Sequence, residues 1–65
     1  MNVRVNRTTI EIPEEANVRV AVMAYALRRS VSKARVRLMR VYDVTGRELD
    51  LEEPLSDGDI LKCVM

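Results

Sequence analysis

Histidine, tryptophan, phenylalanine and glutamine are absent from this chain, and cysteine occurs once, at Cys63. A lone cysteine excludes an internal disulfide framework, and four-thiolate [2Fe-2S] ligation is excluded on the same count. Without histidine there is no zinc-finger spacing, and the commonest general base near neutral pH is missing. The acids lie on turns and strand exteriors, where no spacing forces a pair together, so no catalytic residue, cofactor or metal ligand is assigned and the chain reads as non-enzymatic. No apolar run reaches the roughly 18 residues of a membrane span. The opening Met1-Asn2-Val3-Arg4-Val5-Asn6 lacks the basic stretch and apolar run of a signal peptide, so the reading is a soluble, cytoplasmic protein without a membrane partner. Two tyrosines are the only aromatics, which leaves little on which nucleic-acid bases could stack.

The 65 residues allow a single domain spanning 1–65, with no repeat, linker or low-complexity segment. A domain this small buries only about 60% of the surface its unfolded chain exposes, so packing must carry its stability. Charge is balanced overall at +1 but not along the chain. Residues 1–40 hold nine basic and three acidic side chains, a net of +6, and residues 41–65 hold two basic and seven acidic, a net of −5. The two signs either intermix on the folded surface or leave a one-sided basic face.

Val3 and Val5 alternate with polar neighbours, as do Ile10 and Ile12, which predicts two half-buried strands joined in a hairpin by a turn at Asn6-Arg7. Pro13 ends the second strand, and Asn17 N-caps a helix expected from Val18 to Arg29. A third strand is expected over Arg35-Val36-Arg37-Leu38, with Val36 and Leu38 inward and both arginines outward. The phase then slips at Met39 and Val41, so a bulge or strand end is expected near Met39 to Arg40, with Tyr42 capping the core. Thr45-Gly46 turns into a minor edge strand, Glu48 to Leu51, stopped by Pro54. Asp57 and Asp59 across Gly58 read as a turn and not as calcium ligands, and Glu52-Glu53 as a solvated loop. In the last strand Leu61 and Cys63 point inward, Cys63 as a small buried apolar residue, while Ile60, Lys62 and Val64 point outward.

This order of strands and helix is that of an α+β, ubiquitin-like β-grasp domain, ββαββ(β), with a mixed sheet and one helix packed on one face. Val5 to Val18 resembles the opening of ThiS/MoaD-type sulfur carriers, and Leu55 to Val64 resembles their closing turn and strand. The resemblance implies a carrier or modifier whose tail ends in Gly-Gly. Here Val64-Met65 stand in strand register with no such tail, so no carrier residue transfers, and carrier or modifier activity is the alternative only if the native chain extends further.

Two surfaces remain as candidate interfaces. On a 100° wheel the helix carries one apolar stripe at Val18, Ala21, Val22 and Tyr25 and another at Val20, Met23, Ala24 and Leu27. Arg19 is the only polar residue from Val18 to Leu27. Either the extra alanines are simply tolerated outside, or Val20, Met23 and Leu27, with Val31, form a helix-to-helix homodimer interface. The open sheet face is the second, with Arg4, Lys62, Arg35 and Arg37 around Ile60 and Val64. An apolar centre rimmed by cations suits an acidic protein surface, which makes this a protein-interaction module or accessory subunit. Nucleic-acid binding through the same arginine stripe, with Arg28, Arg29 and Lys33 nearby, is the second alternative.

Overall fold

The first two strands, β1 (Asn2–Val5) and β2 (Thr8–Glu11), pair antiparallel with Val5 opposite Thr8. That register leaves Asn6 and Arg7 as a two-residue turn, and both adopt left-handed φ, 47° and 70°, as a type I′ hairpin requires. This computed structural model describes residues 1–64, and the expectation for Met65 lies outside the described residues.

The helix α1 spans Val18–Arg28, and Asn17 caps it, its side-chain oxygen accepting from the Val20 amide at 3.1 Å. The amides of Val18 and Arg19, which no helical turn can satisfy, donate to the carbonyls of Glu53 and Leu51 at 2.9 Å each. The loop before β5 is thereby tied to the helix start. At the other end Ser30 takes a φ of 57°, while its amide bonds Leu27 and the Val31 amide bonds Ala26, a Schellman stop.

That stop sets up the main departure from the expected order. Ser32 caps a one-turn helix, α2 (Lys33–Val36), where Arg35 to Leu38 was expected to be a strand. Val36 is buried, but Leu38 is 75% exposed. The spacing of Val36 and Leu38 imitated a period of two. The chain, reversed by the Schellman turn, instead continues in tight turns before it reaches the sheet. Strand β3 begins later, at Arg40–Tyr42, so the phase slip at Met39 marks the start of a strand and not a bulge within one. Val41 points into the core opposite Cys63. Tyr42 lies on the outer face opposite Lys62, and it is Tyr25 that sits in the core.

The remaining strands are β4 (Glu48–Leu49), two residues shorter than expected, and β5 (Ile60–Val64). Leu51 leaves the sheet but still packs on the core. The five strands run in the order β2-β1-β5-β3-β4, with β1 and β5 parallel and the other pairs antiparallel. The fold is α+β, with α1 covering one face of a mixed sheet. Val3, Val5, Ile10, Val41 and Leu61 meet Val18, Ala21, Val22, Tyr25 and Ala26 between the two layers.

Candidate functional site

The uncovered sheet face is built by pairing. Residues directly opposite each other share a face, so Thr9, Arg4 and Ile60 form one row, Lys62, Tyr42 and Glu48 a second, and Val64 and Arg40 a third. Ile60 is 47% and Val64 42% exposed, and Arg4 and Lys62 flank them. Of the expected set, the structure brings Arg4, Ile60, Lys62 and Val64 together. Arg35 and Arg37 are not on this face: Arg35 lies in α2 and Arg37 caps its end, because the chain had not yet entered the sheet. Arg40 occupies the rim instead, 3.9 Å from Glu48. Reading the slip at Met39 as the start of a new strand would have found Arg40 and Tyr42 from sequence.

The displaced cations, Arg35 and Arg37, lie beside Arg28, Arg29 and Lys33 near the α1–α2 corner, so the arginine stripe expected on the sheet is divided between two places. Elsewhere the signs intermix, through Arg19 with Glu52 and Arg40 with Glu48.

At the end of the face, the β3–β4 turn, residues 53–55 and the start of β5 enclose a cleft of about 400 Å³ lined by Val18, Val44, Leu49 and Leu61 and by a polar cluster. In that cluster Asp43 Oδ1 accepts from the Thr45 amide at 2.9 Å, the Thr45 hydroxyl at 2.6 Å and the Arg47 amide at 3.0 Å. Arg47 reaches Glu53 at 3.0 Å and Asp43 at 3.5 Å, and Glu53 also accepts from the Asp50 amide at 2.8 Å. The Thr45 hydroxyl chiefly holds Asp43 below the usual carboxylate range, and the Asp50 amide and Arg47 do the same for Glu53. The Glu53 carboxylate raises Arg47 further above its already high range. These hydrogen bonds and ion pairs brace the turn between β3 and β4. Glu52 and Glu53 lie in a loop, Glu52 exposed and Glu53 half-buried, and each pairs with an arginine, Arg19 and Arg47 respectively.

Among the described residues no group of three or more His, Cys, Asp or Glu side chains converges to hold a metal. Asp57 accepts from the Asn2 amide at 2.7 Å and Asp59 from the Ser56 amide at 2.8 Å, which docks the turn against β1. Cys63 is half-buried on the core face, and burial pushes its thiol up to about 11. Among the described residues no helix is long and apolar enough to cross a membrane.

On the opposite side, α1 exposes Leu27 to 77% and Val20 to 38%, whereas Met23 and Val31 are partly buried against the core. The expected helix stripe is therefore divided, with only part of it free. No protein-family model matches the sequence, and no curated protein is significantly similar to it.

Proposed function

We propose that this chain is a ubiquitin-like β-grasp domain that works as a non-catalytic protein-interaction module. Its open sheet face takes an acidic partner, and the exposed part of α1 meets a second copy of the chain. The β-grasp reading is supported by the parallel contact of the first and last strands at the centre of the sheet and by the single long helix packed across one side. Cytoplasmic location is part of the same reading and rests on the sequence.

The observation that carries the function is the uncovered pair Ile60 and Val64 set between Arg4, Lys62 and Arg40. Apolar side chains half exposed on a rigid strand supply contact area, and guanidinium and ammonium groups at the rim supply steering and orientation toward carboxylates. A partner that fits presents an aliphatic or aromatic side chain ringed by Asp or Glu.

The test is to purify a partner captured on the immobilised domain and titrate it into isotope-labelled protein. Amide shifts concentrated at Arg4, Arg40, Ile60, Lys62 and Val64, with binding lost in Ile60→Asp and Lys62→Glu, support the reading. Shifts confined to α1, or full binding by both variants, overturn it.

A further inference from the structure

We infer that β2 is a self-pairing edge: two copies of this chain join antiparallel along β2 with Ile10 at the two-fold axis, and the exposed side of α1 closes over the junction. The inference rests on the proposed meeting of α1 with a second copy, and supplies its geometry.

The backbone at this edge has a definite polarity. Met1 and Ile12 exchange both hydrogen bonds, at 2.7 and 2.8 Å, and Val5 opposes Thr8 across the hairpin turn. Bonded and non-bonded pairs alternate in an antiparallel ladder, so Thr9 and Glu11 aim their N–H and C=O groups away from β1, out of the sheet. The Arg28 guanidinium donates to the Thr9 carbonyl at 2.7 Å, which fixes that direction. Among the described residues no other partner meets the Thr9 or Glu11 amides or the Glu11 carbonyl from outside.

A second copy is self-complementary to this edge. In the register that puts Thr9 opposite the partner's Glu11, each such pair exchanges two bonds, and the second lone pair of the Thr9 carbonyl accepts the incoming amide. Thr9 and Glu11 both project to the uncovered face, so in this register each Thr9 stands beside the partner's Glu11 there, while Arg28 stays on the α1 side of the junction. The edge and the exposed side of α1 border one shallow groove of about 450 Å³, lined by Ile10, Glu11, Ala24, Leu27 and Arg28.

The helices fit the same operation. Paired strands lie about 4.8 Å apart, and α1 rests mainly on β1 and β2. Its axis therefore falls about 5 Å from the two-fold, which sets the two helices about 10 Å apart, at the upper end of ordinary helix packing. One rotation thus covers two exposed features, the strand edge and the Leu27 side of α1 with Val20 two turns away. The opposite edge of the sheet offers no equivalent, because β4 has only two residues and Glu48 is held by Arg40.

Sedimentation equilibrium at high micromolar concentration is expected to give a dimer, with slowed amide exchange at Thr9 and Glu11. Thr9→Pro removes an outward N–H while leaving the β1 ladder intact, and is expected to give a folded monomer by circular dichroism. A wild-type monomer, or a monomer that instead takes up an extended synthetic peptide at this edge, overturns the inference. A dimer broken by Leu27→Glu but indifferent to Thr9→Pro also overturns it, while leaving helix association standing.

Discussion

Replacing Asn6 with alanine should destabilise this domain strongly, although the residue lies in an exposed turn. Its side-chain amide acts as a surrogate backbone: Oδ1 accepts from the Cys63 amide at 2.9 Å, and Nδ2 donates to the Cys63 carbonyl at 3.0 Å and to the Tyr25 hydroxyl at 3.2 Å. With the Asn6 amide bonded to the Leu61 carbonyl at 3.1 Å, the residue extends the β1–β5 contact past the end of β1 and ties both strands to α1. Each side-chain bond contributes about 0.5–1.5 kcal/mol, and exposure at this site favours the lower half, so losing three costs about 2 kcal/mol. Alanine must also hold the φ of 47°, which adds about 1 kcal/mol. For a domain of this size a loss of about 3 kcal/mol lowers Tm by roughly 12–24 °C. Asn6→Gly loses the same bonds but not the strain, so it should fall about 1 kcal/mol short of alanine. Urea melts of the three proteins, with amide exchange at Cys63, make the measurement. Variants within about 0.5 kcal/mol of wild type, or alanine and glycine indistinguishable from each other, would refute the reasoning.

Ser30→Gly should raise Tm by a few degrees, because glycine holds the left-handed Schellman position at a φ of 57° without a Cβ penalty; an unchanged or lower Tm contradicts this. Asp43 and Glu53 have folded pKa values depressed by their hydrogen bonds and Arg47, so their stabilisation is complete above the unfolded carboxylate range and is lost as pH falls through the folded values. The stability gap between wild type and Asp43→Asn/Glu53→Gln should therefore be constant above about pH 5 and shrink below about pH 4, and a gap that stays flat into strong acid refutes the assignment. The Cys63 thiol is raised from 9.0 to about 11 by burial, so native alkylation near pH 8 should run about 100-fold slower than in denaturant. The same shift favours the neutral thiol in the fold, so stability falls as pH rises through the unfolded value. Comparable native and denatured alkylation rates would rule it out.

Much of this molecule is local in origin. The hairpin turn, the Asn17 cap, the buried stripe of α1 and the inward Leu61 and outward Ile60 of β5 depend on φ preferences and side-chain periodicity, which neighbouring residues set by themselves. The same logic made Arg4, Ile60, Lys62 and Val64 legible as one face, since pairing of β1 with β5 preserves the alternation. Periodicity failed over residues 35–38, where four residues satisfy a strand pattern and a capped turn equally well. The choice between them lay with the Schellman reversal and the burial of Val36, and it moved Arg35 and Arg37 off the sheet and put Arg40 in their place. The bonds from Asn6 to Cys63 and from Arg28 to Thr9 join residues far apart in the chain, and no local spacing encodes them. Sequence determined which side chains are inside or outside within each regular element. Tertiary structure decided that Arg40 and Tyr42, and not Arg35 and Arg37, complete that face, and which strand edge is left open, because those depend on how the elements dock.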